Sequence, residues 1–319
     1  MRVYSLLLMF VVFCSSSLPG HHSKERFKRE FVVLDGWRMA YHAEGKGDPI
    51  VFLHGNPTSS YIWRKIIPHV NELGNCLAPD LMGMGMSEKV PATITNRYTY
   101  GYHYRMVDLF LRNQIDPKRK IILVAHDWGG VLAIHWARNH PERVLGIVFM
   151  ETFLEPLETG RSPQFAIDWF KNWRTVEMEK AVLDSNRFVE QVLLGEVGRY
   201  LTEEDISEYR SPFVNKGEGR LTTLLWPRQV PIDKDPAETH QILVDNMAFM
   251  AKTQIRKLFI NSEPGALLAP EPRRNIIRQW PNLDEVKVQG RHFVQESSPD
   301  SIGNHLKKWI IKCREQSPE

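Results

Sequence analysis

The stretch 124–130 constrains the fold of this chain more than any other, because it places one carboxylate between a strand and a helix. The apolar run 120–124 is rich in β-branched residues, which is typical of a strand buried on both faces. The residues after the turn have helical character. Ala125 and Gly129 are small, as a turn requires where the strand and helix backbones nearly touch. The sequence therefore predicts a strained turn with Asp127 at its apex.

Two interpretations of Asp127 are open. Aspartate is a favoured N-cap residue, so the side chain could simply cap the following helix. The alternative is the nucleophile elbow, in which a nucleophile stands between two small residues at a strand-to-helix turn. Strand, turn and helix all agree here, which favours the elbow, with Asp127 in the place where many hydrolases carry a serine.

A carboxylate at this apex favours a particular reaction. Asp127 is ionised at neutral pH, so it needs no base to become nucleophilic, unlike a serine. Its attack on an acyl carbon would give a reactive anhydride. Its attack on a saturated carbon that bears a leaving group would give an ordinary ester, which water can hydrolyse. We therefore predict displacement at carbon.

Hydrolysis of such an ester needs a base for the water and a group that orients the base. His292 follows the last predicted strand, 286–288, and Glu151 follows the predicted strand 144–150. Both would lie at the same edge of a parallel sheet, which favours them as base and orienting acid. Glu263 also follows a strand and competes with Glu151 for the second role.

A departing halide needs hydrogen-bond donors in a desolvated pocket. Trp128 offers an indole N–H, and Asn56 offers a side-chain amide beside the nucleophile if the usual strand order holds. Core packing would also explain the tryptophan, and a turn before proline would explain the asparagine. Neither of these explanations accounts for both residues being donors.

Composition sets the broad class. The 319 residues are 42% hydrophobic, enough for one large domain with an insertion. The net charge of +3 implies no electrostatic attraction to nucleic acid. Residues 1–20 resemble a secretory signal, which predicts secretion, although an uncleaved N-terminal anchor is the alternative. Removing that leader leaves Cys76 and Cys313, either as two buried thiols or as a disulfide.

Strands alternate with helical stretches along most of the chain, which predicts an α/β fold with a mostly parallel sheet flanked by helices. The rhythm changes after Phe153, where helical segments such as 181–194 follow one another without a convincing strand. We expect core segments at 21–152 and 232–319, with an inserted helical cap at 153–231. Such a cap would lie over the carboxyl ends of the strands, where ligands bind in sheets of this kind.

Several motifs together resemble the haloalkane dehalogenase family of α/β-hydrolases, which includes Renilla-type luciferase. The resemblance covers roughly residues 30–312. It implies Asp127 as nucleophile, His292 as base, Glu151 as the acid, and Asn56 with Trp128 as the halide-stabilising pair. It also implies no metal and no organic cofactor, whereas the secretory leader departs from the family's cytoplasmic members. The motifs are His54-Gly55-Asn56-Pro57-Thr58-Ser59-Ser60-Tyr61-Ile62-Trp63-Arg64, Ala78-Pro79-Asp80-Leu81-Met82-Gly83-Met84-Gly85, His126-Asp127-Trp128-Gly129 and Leu225-Trp226-Pro227-Arg228.

Four functions are compatible with these residues, and a haloalkane dehalogenase is preferred. A coelenterazine luciferase would use the same five polar residues, so the shape of the pocket decides between the two. An epoxide hydrolase would need phenolic donors from the cap, for which Tyr200 and Tyr209 are available. A secreted binding protein without activity is the fourth. We expect a monomer that takes a small apolar or aromatic substrate and has no membrane span once the leader is removed.

Overall fold

The computed structural model describes residues 27–316, and the proposed leader at 1–20 lies outside them. Eight strands form one sheet in the order β1-β2-β4-β3-β5-β6-β7-β8. The first two strands pair antiparallel and the other six run parallel. The strands are β1 Glu30–Leu34, β2 Trp37–Glu44, β3 Pro49–Leu53, β4 Asn75–Pro79, β5 Ile121–His126, β6 Val144–Met150, β7 Arg256–Pro264 and β8 Leu283–Gly290.

The central strands are apolar along their whole length because helices cover both faces of the sheet. Every residue of β3 and β5 is buried, and β6 differs only at one half-buried position, Leu145. The predicted α/β fold with a mostly parallel sheet is confirmed. As a result, β3, β5 and β6 lie side by side and their carboxyl ends meet at one edge of the sheet.

Six helices belong to the sheet-covering layers, and five lie between β6 and the helix that precedes β7. The covering helices are α1 Tyr100–Gln114, α2 Trp128–Asn139, α8 Ala237–Met250, α9 Glu271–Ile277, α10 Val294–Ser297 and α11 Pro299–Glu315. The intervening ones are α3 Gln164–Asn172, α4 Val176–Ser185, α5 Leu194–Val197, α6 Glu203–Arg210 and α7 Leu221–Arg228. We call the stretch that holds α3 to α7 the cap. The predicted domain boundaries at 152/153 and 231/232 stay predictions.

The expectation of one helical segment over 181–194 was wrong. Helix α4 ends at Ser185 because Asn186 adopts the left-handed conformation, with φ 53° and ψ 36°, which asparagine tolerates well. A π-helical segment, Phe188–Leu193, then continues into α5. The break separates α4 from the cavity wall, since Phe188, Gln191 and Val192 of the π-helical segment line the cavity and no residue of α4 does.

Burial and helix length bear on two further predictions, one about the cysteines and one about a membrane span. Cys76, on β4, and Cys313, on α11, are both buried, and no disulfide joins these two described residues. Of the helices in residues 27–316, none combines the length and apolar character that crossing a membrane would need.

Candidate active site

Asp127 lies at the turn between β5 and α2, and the residue is only 4% exposed. Its φ of 52° and ψ of −129° are strained for a residue other than glycine. A side chain at Gly129 would collide with the backbone carbonyl of Leu53, so the turn can form only with glycine there. The carboxylate makes no capping hydrogen bond to α2, which rules out the cap interpretation of this residue.

Three hydrogen bonds to residues outside α2 hold Asp127 at the turn. The backbone N–H of Asn56 donates to Oδ2 over 2.7 Å. The Thr152 hydroxyl donates to the main-chain carbonyl of Asp127 over 2.7 Å, and the Asp127 N–H donates to the Glu151 carbonyl over 3.2 Å. Burial raises the pKa of the Asp127 carboxyl, although His292 and the backbone N–H groups of Asn56 and Trp128 act in the opposite direction. The carboxylate is thus fixed and poorly hydrated.

His292 lies in the loop between β8 and α10, with one ring nitrogen toward each of two carboxylates. Its Nε2 is 3.8 Å from Asp127 Oδ1, and its Nδ1 is 3.9 Å from Glu151 Oε2. Burial lowers the pKa of His292, but these two carboxylates outweigh it, so the pKa is raised overall. The His126 ring donates its Nε2–H to the His292 carbonyl over 2.8 Å and so fixes the loop.

Glu151, and not Glu263, is the carboxylate that faces the imidazole. Glu151 follows β6 with a φ of 41°, and its Oε2 accepts the backbone N–H groups of Ala266 and Leu267 over 2.9 and 2.7 Å. Two charge-assisted hydrogen bonds to backbone donors fix its orientation. Glu263 instead pairs with Lys287 over 2.7 Å and is partly solvated. The competition that the sequence left open is therefore decided by position.

Asn56 and Trp128 both line the cavity beside Asp127. The Asn56 side-chain amide donates one hydrogen to the Thr223 carbonyl over 3.1 Å, which fixes the amide orientation and leaves its second N–H available. Within residues 27–316, no hydrogen-bond acceptor occupies the Trp128 indole N–H. The Trp128 ring stacks on Trp226 of the cap at 4.8 Å between centroids. The two donors can therefore serve an anion that forms next to the nucleophile.

The cavity between the sheet edge and the cap has a volume of about 1160 Å³. Asp127 and His292 line it from the core, and α3 with the π-helical segment lines it from the cap. This volume exceeds the range of roughly 300–1,000 Å³ that is usual for small-molecule sites. The phenols considered as epoxide donors lie elsewhere: Tyr209 is buried and donates to Glu296 over 2.5 Å, and Tyr200 lines a neighbouring recess.

Sequence reasoning missed two groups that the structure brings to the site. The backbone N–H groups that hold Glu151 come from a loop after β7, and backbone donors leave no signature in side-chain identity. The second is Glu196 of α5, whose Oε1 accepts the Phe293 N–H over 2.7 Å, directly beside His292. Glu196 stands in a cap segment without any motif, so its role could not be read from the chain.

Comparisons with known proteins show the family of this chain and confirm the predicted α/β-hydrolase fold. The α/β hydrolase fold family matches residues 48–299. A haloalkane dehalogenase from Sphingobium indicum is 46% identical over 287 residues, which cover 90% of this chain and 96% of that protein. Another from Mycolicibacterium smegmatis is 41% identical, with 93% and 94% covered. The crystal structure of a haloalkane dehalogenase from Bradyrhizobium elkani aligns with a TM-score of 0.84 at 35% identity, covering 91% of this chain and 99% of that one.

Proposed function

Because the chain belongs to the haloalkane dehalogenase family of α/β-hydrolases, we propose that it cleaves carbon–halogen bonds through an alkyl ester on Asp127. The chain is an enzyme of the hydrolase class. One observation carries the proposal: a buried carboxylate, an imidazole and two free N–H donors line a single largely apolar cavity. Each of these groups is needed for displacement at a saturated carbon, and none is needed merely to fold the sheet.

In the first step, Asp127 attacks the carbon that bears the halogen. The Oδ1 atom faces the cavity side near His292, while Oδ2 is held by the Asn56 N–H. The new C–O bond forms as the carbon–halogen bond breaks, and the halide leaves with the electron pair. The Trp128 indole and the free amide hydrogen of Asn56 stabilise the anion, which would otherwise form in apolar surroundings at a large cost.

In the second step, water hydrolyses the ester. His292 takes a proton from the water, and Glu151 stabilises the imidazolium that results. The oxygen of the ester carbonyl is then Oδ2, so the backbone N–H of Asn56, which donates to Oδ2, stabilises the negative charge that develops on it. The products are an alcohol, a halide ion and a proton, and Asp127 is regenerated.

Neither alternative chemistry is favoured by an observation on this chain. The relatives described above are haloalkane dehalogenases, and no feature of the described cavity calls for coelenterazine. For epoxide opening, a phenol would have to face Asp127, yet Tyr209 is bonded to Glu296 away from the cavity. The displacement of halide uses all five polar groups, and it is the activity for which the relatives described above are named.

The test is halide release from 1-bromobutane and 1,2-dibromoethane by the purified protein, with Asp127→Asn as the matched control. We expect turnover by the natural sequence and a loss of at least about 10⁴-fold in the variant, since its neutral amide is a poor nucleophile. A folded protein that releases no halide from a broad panel would contradict the proposal. Light emission with coelenterazine under the same conditions would support the luciferase instead.

We also propose that the protein is secreted and that it is a monomer. The leader-like residues 1–20 alone support secretion. Expression in a eukaryotic cell line tests the first, since a processed N-terminus in the medium is expected and an intact cellular protein would contradict it. Light scattering of the purified protein tests the second.

A further inference from the structure

A recess of about 310 Å³ adjoins the catalytic cavity, and two arginines lie where the two spaces meet. Arg199 and Arg291 line both the large cavity and the recess, as does Glu196. Arg291 directly precedes His292, so the junction lies beside the catalytic loop. A substrate with its reacting carbon at Asp127 therefore has room to extend toward these cations.

Other charges around the two spaces are largely paired. Glu155 of the large cavity pairs with Arg273 over 3.1 Å. Glu263 of the recess pairs with Lys287 over 2.7 Å. These pairs cancel, so they contribute little to the field that a ligand in the recess would meet.

Apart from Asp127, the charged residues that line the cavity and remain outside such pairs are three arginines, Arg187, Arg199 and Arg291, and one carboxylate, Glu196. In the part of the chain that the structure describes, no carboxylate lies within ion-pair distance of Arg187, Arg199 or Arg291. Arg199 donates to the Tyr200 hydroxyl over 2.7 Å and stands 4.7 Å from the centre of its ring, which holds the guanidinium in place without neutralising it. Glu196 opposes them, with one oxygen engaged by the Phe293 N–H. The rim, by which we mean the lining around the junction of the cavity and the recess, therefore carries a net positive charge when Asp127 is left out.

The cavity wall that α3 forms is apolar and open. Phe165 is 77% exposed and Trp169 is 50% exposed, and both line the large cavity from α3. Large aromatic side chains exposed together at the mouth of a cavity mark a surface that an apolar ligand covers. Apolar wall and positive rim together match a ligand with an apolar chain and an anionic end.

We propose that the preferred substrates are haloalkanes whose far end carries a carboxylate, which Arg199 and Arg291 bind; this rests on the proposed function. Guanidinium groups bind carboxylates through paired, charge-assisted hydrogen bonds. The carboxylate must lie far from the halogen because Asp127 would repel it at the reacting end. Displacement and hydrolysis proceed as above, so an ω-bromoalkanoate and water give an ω-hydroxyalkanoate, bromide and a proton.

The first experiment compares ω-bromoalkanoates of four to eleven carbons with their methyl esters, which match them in length but carry no charge. We expect kcat/KM to favour the acid by about fivefold at one or more chain lengths, through KM, because exposed ion pairs contribute modestly. The preference should shrink in high salt. Equal values for acid and ester at every length would overturn the inference.

Variants of the two arginines test whether these residues cause the preference for the acid. The double variant Arg199→Gln and Arg291→Gln should bring the acid-to-ester ratio to about one, since it removes both cations. The double variant Arg105→Gln and Arg119→Gln is the matched control, because it removes the same number of charges away from both spaces. Arg105 pairs with Asp35, Arg119 pairs with Asp48, and neither arginine lines the cavity or the recess. This control should keep the full ratio. A ratio that falls equally in both proteins would reduce the effect to net charge and contradict the inference.

A binding measurement separates this inference from the proposed function. Octanoate, which has no halogen, should bind the protein more tightly than octanol, as titration calorimetry would show, and the double variant should lose the difference. If bromoalkanes are turned over but octanoate binds no better than octanol, only the inference fails. If octanoate binds preferentially but no halide is released from any substrate, only the proposed reaction fails.

Discussion

The two walls of the cavity differ in how tightly the chain specifies them. On the core side, Asp127 and Glu151 are almost fully buried, sit in strained backbone conformations and accept hydrogen bonds from backbone N–H groups. On the cap side, α3 exposes Phe165 and Trp169, and the π-helical segment interrupts the regular helix. The reaction is thus built on the rigid wall, and the choice of substrate is left to the wall that can change without disturbing the sheet.

A network of charged hydrogen bonds nevertheless anchors the cap firmly at α6. The buried Glu296 carboxylate of α10 accepts one hydrogen bond from Arg64 over 2.5 Å and another from the Tyr209 hydroxyl of α6 over 2.5 Å. Arg64 also pairs with Asp205 of α6 over 2.7 Å. Removing one member of such a buried network leaves an uncompensated charge. The cap is therefore fixed at α6 and open at α3.

The largest effect is expected from a substitution in the core wall that makes the ester intermediate accumulate. His292→Phe removes the base, so the ester on Asp127 should form once and persist. Intact-protein mass spectrometry after addition of 1-bromobutane should show a mass increase equal to the butyl group. Halide release should stop at one equivalent per protein. Continued turnover in this variant would show that another group activates the water.

A pair of tryptophans compares the two walls directly. Trp128→Phe removes an indole N–H beside the nucleophile and should lower kcat for bromoalkanes by about 10²-fold, as the loss of one preorganised donor does. Trp169→Phe makes the same chemical change on the exposed wall and should leave kcat within about twofold, because Trp169 donates to no reacting group. Similar losses in both variants would show that the cap wall takes part in the chemistry.

A pair of glycines makes the same comparison for stability. Gly129→Ala places a methyl group against the Leu53 carbonyl and should destabilise the fold by at least about 2 kcal/mol. At Gly195 in α5, no atom lies within 4 Å of the added carbon, so Gly195→Ala should stabilise by about 0.5 kcal/mol. Thermal unfolding measures both. Equal melting temperatures for the two variants would contradict the contrast in packing.

The smallest expected effect concerns the one cap carboxylate that reaches the catalytic loop. His292 acts as a base only when neutral, and its pKa is raised, so ester hydrolysis should be lost as the pH falls through that raised pKa. Glu196 adds to the rise in the pKa of His292. Glu196→Gln should therefore move the acid limb of the kcat profile to lower pH.

The controls for this shift use the hydrogen bond to the Phe293 N–H. Glutamine at position 196 retains an acceptor, so the plateau of kcat should be kept. Glu196→Ala removes charge and acceptor together, which should give the same shift with a lower plateau. A plateau change without any shift would assign Glu196 a purely structural role.

Much of the core could be predicted because its constraints are local. Buried strands read as apolar runs, and the turn at Asp127 needs small neighbours, so residues 120–137 carry both the strand and the helix in their own pattern. The helical segment expected over 181–194 failed for a related reason. Its end depends on one left-handed asparagine, and asparagine favours that conformation too weakly to be decisive from sequence.

By itself the sequence determined the α/β class and the place of the Asp127 carboxylate at a strand-to-helix turn, because hydrophobic periodicity and turn sterics act over a few residues. Only the tertiary structure decided that Glu151 and not Glu263 faces His292, since both follow parallel strands and differ in what packs beside them. It also decided which arginines of the rim stay unpaired. Pairing of charges depends on distances between segments far apart in the chain, and no local pattern fixes those distances.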